Sequence, residues 1–300
     1  MLRKYPRLLL AWILVLTCAS TVCAISTASA GDKSFLWRIR SEKSTVHILG
    51  SIHALKKDFY PLDNTIEDAF NTSDILVVEV NINKVDPVAM QKTMLEGSLY
   101  NGGASLQNKL SSKTYEQAKD KLQEYGLAIE QLNMFKPSFI AITLTAMELQ
   151  KQGYDPEYGI DKYFIGKAEN NKTILELETY DFQINFFSAF SDKEQELFLI
   201  YTLSDMDIIG TQIDDIIAAW LDGDAKKMES ILTKSISERP ELSPIYYKLI
   251  DKRNVDMTDK ITQYLTTDDN YFVVVGAAHL IGNKGILEIL KRRGYTIEQL

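Results

Sequence analysis

Six short runs of the chain carry the hydrophobic pattern of β-strands. Residues 35–40 (Phe-Leu-Trp-Arg-Ile-Arg) alternate apolar and basic side chains, the period of a half-exposed strand. A polar turn, Ser41-Glu42-Lys43-Ser44, leads into an apolar run at 45–49, so the pair predicts a hairpin. Residues 75–80 and 271–275 are near-continuous apolar runs, the mark of strands covered on both faces, and 271–275 is the strongest. Weaker strands are predicted at 173–178 and 295–297. Asp63 is placed to cap a helix reaching about Asn71. Helical periodicity then predicts helices near 86–96, 111–125, 136–151 and 159–170, the third with Pro137 in its first turn. Further helices are predicted near 180–190, 192–204, 207–222 and 224–236, one or two more across 240–266, and a short one at 282–293. Strands near both ends with helices between them predict an α/β (α+β) fold. It is a central mixed β-sheet in one domain over 31–300, with a large helical insert at about 84–170.

The first thirty residues stand apart. Arg3, Lys4 and Arg7 precede a short apolar run, Leu8 to Leu16, and Ala28-Ser29-Ala30 supplies a small-x-small cleavage pattern before Gly31. This predicts a signal peptide over 1–30 and export to a periplasm or the cell exterior. Val22-Cys23-Ala24 is a weaker cleavage site, and an uncleaved anchor is the alternative. The run is short for a membrane span. Both cysteines, Cys18 and Cys23, lie in this leader. Neither has the Leu three residues earlier that a lipoprotein needs. Disulfides and thiol chemistry therefore drop out of the mature chain. The leader holds three basic and no acidic residues, so the 33 Lys and Arg fall to 30 against 41 Asp and Glu, a balance of −11. That charge argues against nucleic acid or anionic lipid as a partner, and no stable membrane insertion is expected once the leader is gone.

The chain has only 3 histidines, and two share one setting. His53 closes Ile48-Leu49-Gly50-Ser51-Ile52-His53, and His279 closes Val274-Val275-Gly276-Ala277-Ala278-His279. Each is an apolar strand followed by Gly-x-x-His. In α/β sheets ligands gather beyond the carboxyl ends of strands, which is where both residues fall. The glycine allows a sharp turn or a close approach to a ligand. His47 lies within its strand and reads as structural. Glu79 sits in an otherwise apolar strand, where a carboxylate needs a cationic partner or a metal. Glu176 and Glu178 share one face of their strand. Glu178 is at the active end, whereas Glu176 reads as structural. Arg253-Asn254 either belongs to a solvated helix face, or Arg253 pairs a buried carboxylate or holds a substrate carbonyl or carboxylate. Asp161 reads first as a helix N-cap. Two His and a carboxylate suffice for a catalytic metal site with one open position. No helix-borne zinc motif is present, so distant segments would have to assemble the site.

Taken together, these motifs resemble the TraB/GumN family, which includes the animal Tiki proteins. The motifs are Leu49-Gly50-Ser51-Ile52-His53, Val78-Glu79, Tyr158-Gly159-Ile160-Asp161, Leu177-Glu178, Arg253-Asn254 and Val275-Gly276-Ala277-Ala278-His279-Leu280-x-Gly282. They run in order from about residue 35 to the C-terminus. The resemblance implies an α/β fold related to erythromycin-esterase and ChaN-like proteins, and a metal-dependent protease activity like that of Tiki members. It implies His53, His279, Glu79 and Glu178 as ligands of a divalent ion (Mn, Co or Zn). It also implies Glu79 as the essential carboxylate, with Arg253 and Asn254 steadying the oxyanion or orienting a peptide or protein substrate. Two alternatives remain: a non-catalytic protein that sequesters a peptide or haem-like ligand, as some TraB-type relatives silence a peptide pheromone, and a metal-dependent esterase.

Overall fold

The computed structural model describes residues 33–300, and the leader expected at 1–30 lies outside the described residues. One sheet contains β1 (Leu36–Arg40), β2 (Thr45–Ser51), β3 (Ile75–Val78), β4 (Thr173–Glu176), β5 (Tyr271–Gly276) and β6 (Ile297–Gln299), in the spatial order β4-β3-β5-β2-β1-β6. β4, β3, β5 and β2 run parallel. β1 pairs antiparallel with β2, and β6 antiparallel with β1. This is the mixed α/β sheet that the pattern predicts. The central strand is β5, buried at every residue, which is why its run is apolar without alternation.

Helices cover the sheet. Phe70 of helix Asn64–Asn71, Phe164 of helix Ile160–Ala168 and Phe272 of β5 form one aromatic cluster, with ring centroids 4.8–5.6 Å apart. Asp63 does cap its helix, accepting the Thr65 N–H at 2.8 Å, and Pro137 opens helix Pro137–Lys151. A second core has no strand in it. Leu122, Ile140, Leu144, Phe190, Leu199 and Ile245 pack together there. These residues come from both sides of β4 in the sequence. The helical part is therefore larger than the insert expected at 84–170. Leu199 of helix Asp192–Asp205 and Leu144 of helix Pro137–Lys151 share that core, so neither segment buries its apolar face alone.

Several boundaries differ from expectation in ways that bear on the site. β3 ends at Val78, so Glu79 lies one residue past the strand. β2 continues to Ser51, because Gly50 and Ser51 still pair with Val275 and Gly276. The helix expected at 282–293 starts only at Ile286 and runs to Arg292; an unexpected helical turn, Ala277–Leu280, precedes it, with Gly282 between them at φ +82°. Among the described residues, no helix is long and apolar enough to cross a membrane.

Candidate functional site

The carboxyl ends of β2, β5 and β3 lie side by side. Ser51 pairs with Gly276 and Val78 with Val274, so the two Gly-x-x-His segments leave adjacent parallel strands one residue out of step. Their paths then diverge. His53 leaves β2 in an irregular loop, whereas His279 lies within the helical turn Ala277–Leu280. Glu79 follows β3 and is 4% exposed.

These three side chains converge over Gly276. A Cβ placed there would lie 3.3 Å from Glu79 Oε1, 3.4 Å from His53 Nε2 and 3.5 Å from His279 Cδ2. The Gly276 N–H donates to Glu79 Oε1 at 2.7 Å, and His279 Nε2 is 3.9 Å from the same oxygen. Glycine is needed here because a side chain would fill the space that the donors enclose. Its φ is −50°, so it relieves crowding and not backbone strain. Gly50 has a similar role further back: a Cβ there would strike the Phe35 ring at 2.5 Å.

Each histidine is oriented by a partner on its other nitrogen. His53 Nδ1 meets Asp161 Oδ2 at 2.5 Å, and Ser51 Oγ donates to Asp161 Oδ1 at 3.0 Å. His279 Nδ1 donates to Asn254 Oδ1 at 2.6 Å. Asn254 Nδ2 donates to the Lys284 carbonyl at 2.8 Å, which fixes which end of the amide faces the histidine. In both rings the remaining nitrogen, Nε2, points toward Glu79 and Gly276. Metal-binding histidines are commonly held this way.

Arg253 ties the carboxylates together. Its Nη2 donates to Glu79 Oε2 and Glu178 Oε2 at 2.7 Å each, and its Nε to Glu178 Oε1 at 2.7 Å. Gln183 Nε2 donates to the same two carboxylates, at 3.1 Å to Glu79 and 2.9 Å to Glu178. A π-helical turn, Tyr247–Asp251, precedes helix Lys252–Tyr264, which carries Arg253 and Asn254.

The electrostatics differ across the site. Burial pushes the His53 imidazole down, but the Asp161 carboxylate overrides it and lifts it to about 9. Burial, with Arg253 nearby, pushes His279 down to about 3. Burial pushes the Glu79 carboxyl up, yet His279, Arg253, His53 and the Gly276 N–H outweigh it and hold it at about 2.

The donor chemistry fits a divalent cation. There are two imidazole Nε2 atoms and one carboxylate, with the opposite ring nitrogens already anchored. The spacing is open: among the described residues, no three His, Cys, Asp or Glu side chains form a closed metal-binding group.

Each expected site residue can now be placed. His53, His279 and Glu79 meet. Arg253 pairs two buried carboxylates, one of the two roles expected for it. Glu178 lies two residues beyond β4, and Arg253 and Gln183 engage both its oxygens. It stands behind Arg253 and away from the space above Gly276. Asn254, expected beside the substrate, is 1% exposed and sits behind His279, because its amide serves that ring and the Lys284 carbonyl. Asp161 is not the cap of its helix: Gly159 is, and Asp161 turns to His53. Gly159 permits this, since a Cβ there would lie 2.5 Å from the His53 carbonyl oxygen. Glu176 accepts the Asn81 N–H at 2.8 Å, a structural role. His47 is buried within β2, away from the site. Gln183 was not anticipated: one Gln in an aromatic-rich helix gives no sequence signal.

A cavity of about 310 Å³ opens beside these residues. It runs from Ser51, His53 and Glu79 into the gap between the sheet core and the helical core, past Leu149, Phe186 and Leu249.

The model of the TraB/PrgY/gumN family matches residues 35–299. The uncharacterized protein YbaP of Escherichia coli (strain K12) is 26% identical over 246 residues, covering 82% of this chain and 87% of its own length. A metalloprotease TIKI homolog of Nematostella vectensis is 22% identical over 333 residues, covering 92% of this chain and 69% of its own. Metalloprotease TIKI1 of Danio rerio is also 22% identical, covering 92% of this chain and 65% of its own. No solved structure matches.

Proposed function

The chain belongs to the TraB/PrgY/gumN family, and on that premise we propose that it is an exported metal-dependent peptidase. One observation carries the reading: His53, His279 and Glu79 converge over Gly276, while Asp161 and Asn254 hold the far nitrogens of both rings. The chain's similarity to proteins named metalloproteases supports it. His53 Nε2, His279 Nε2 and Glu79 would hold the ion. A divalent cation there supplies Lewis acidity, which polarises a carbonyl and lowers the pKa of water.

The remaining work falls to the chain. Glu79, kept ionised, presents a carboxylate and not a neutral acid to the ion. Arg253 keeps Glu79 charged inside a buried site and forms a salt bridge to Glu178 as well. Asp161 and Asn254 prevent the imidazoles from turning. The apolar cavity removes bulk water from around the reacting groups. Export is supported by the leader pattern before Gly31.

The test is metal content by mass spectrometry, alongside peptide cleavage, for wild type, His53→Ala and His279→Ala. Loss of metal and of cleavage in both variants is expected. Unchanged metal in both overturns the assignment. A second reading, sequestration of a peptide or haem-like ligand without cleavage, draws on the open donor spacing and the size of the cavity. Cleavage abolished by chelator, with no haem spectral shift, excludes it.

A further inference from the structure

The cavity and one orphaned atom of a residue in its wall describe the ligand. An apolar cavity of about 150 Å³ accommodates a benzene ring. At about 310 Å³, this one has room for two bulky side chains. Leu149, Phe186, Phe198, Ile213, Leu232 and Leu249 line it. Two Lys or Arg side chains reach it, and both are committed: Lys162 pairs with Glu157, and Arg253 with Glu79 and Glu178. Among the described residues, no lining Lys or Arg is left to receive a carboxylate.

The orphan is Gln183 Oε1. Gln183 lines the cavity and is 8% exposed. Its Nε2 donates to Glu79 and Glu178, and turning the amide over would set its oxygen against two carboxylates. That leaves Oε1 buried with no hydrogen-bond partner among the described residues. Buried acceptors in native proteins are matched by donors. A hydrocarbon or an ester offers no N–H, whereas a peptide backbone offers one per residue.

We propose that this cavity selects peptides with bulky apolar side chains beside the bond to be cleaved, and that Gln183 is a positioning residue accepting a backbone N–H of that peptide. The proposal rests on the peptidase reading above and specifies its substrate class. The probes are two end-blocked peptides, acetyl-Ala-Ala-Phe-Leu-Ala-Ala-amide and acetyl-Ala-Ala-Ser-Asn-Ala-Ala-amide. A series of the first, in which each backbone N–H is replaced in turn by an ester oxygen, completes the set. Binding is measured calorimetrically under chelator, so that cleavage does not intervene.

The apolar peptide binds at least tenfold tighter than the polar one. One ester replacement weakens it about tenfold, the others little. Ala146→Phe, which fills the cavity, abolishes the apolar preference. In Gln183→Met the position-specific ester penalty disappears, an effect that a merely structural glutamine would not produce. Equal binding of the two peptides overturns the selectivity. So does an apolar preference that persists in folded Ala146→Phe. The absence of any ester penalty in wild type, or the same penalty in Gln183→Met, overturns the role of Gln183; the wild-type series decides even where a variant fails to fold. Selective binding without cleavage on adding Mn²⁺, Co²⁺ or Zn²⁺ sinks the peptidase reading and leaves this selectivity standing. Cleavage without apolar preference does the reverse.

Discussion

On the β2 side of the site, His53 sits in an irregular loop, 22% exposed, with Nδ1 against the Asp161 carboxylate. On the β5 side, His279 sits in a helical turn, 5% exposed, with Nδ1 against the Asn254 amide oxygen. The local sequence is the same, Gly-x-x-His after a parallel strand. The charge is not. A carboxylate partner stabilises imidazolium, and an amide partner in a buried place does not. These shifts favour imidazolium for His53 at neutral pH and the neutral ring, protonated at Nδ1 alone, for His279. Repetition of a motif predicted position at the sheet edge. The partner residue, supplied by a distant helix, decided protonation.

The largest expected effect removes what both sides share. Arg253→Leu leaves Glu79 and Glu178 buried without a counter-charge, and about 3–5 kcal/mol should be lost in urea denaturation. A near-neutral result would mean that the carboxylates are solvated or protonated. Next, the two histidines should differ in the chelated protein. His279→Ala orphans the buried Asn254 oxygen and should cost about 1–3 kcal/mol. His53→Ala removes the Asp161 ion pair, so its cost should fall as pH climbs through 9 whereas that of His279→Ala should not, and a matched pH response would break the comparison.

The pH dependence sharpens it. His53 is raised to about 9 from 6.5, so its stabilisation of metal-free protein is complete below 6.5 and is lost as pH climbs through 9. His279 is lowered to about 3, so its stabilisation is present above 6.5 and is lost as pH falls toward 3. Asp161→Asn should flatten the alkaline limb by about 1–2 kcal/mol and leave the acid limb alone. It should also abolish the proton released when metal displaces it from His53, a quantity calorimetry in two buffers reads. The smallest effect belongs to His47. Burial, with Arg38 and Arg40, lowers it to about 4, so it too destabilises between 6.5 and 4. His47→Gln should change that limb by less than about 1 kcal/mol with metal content unaltered.

Much of this was legible in the chain. Period-two and continuous apolar runs marked the strands, because a pleated backbone alternates its side chains and a doubly covered strand cannot alternate polarity. Glu79 was legible because a carboxylate amid valines needs a partner. Asp161 was hidden, since a polar residue at a helix start usually caps it. The cap is Gly159, chosen by its close approach to the His53 carbonyl. Gln183 was invisible: its role depends on facing Glu79 from 104 residues away.

By itself the sequence determined the strands, the site's place at their carboxyl ends, and the two histidines and one glutamate as the side chains that meet there. These follow from local periodicity and from the scarcity of polar residues in apolar runs. Only the tertiary structure decided the rest. It set Asp161 behind one ring and Asn254 behind the other, tied Glu178 to Arg253, and opened an apolar cavity with one orphaned oxygen beside the donors. Hydrogen-bond partners and empty space are relations between segments far apart in the chain, and no local pattern encodes them.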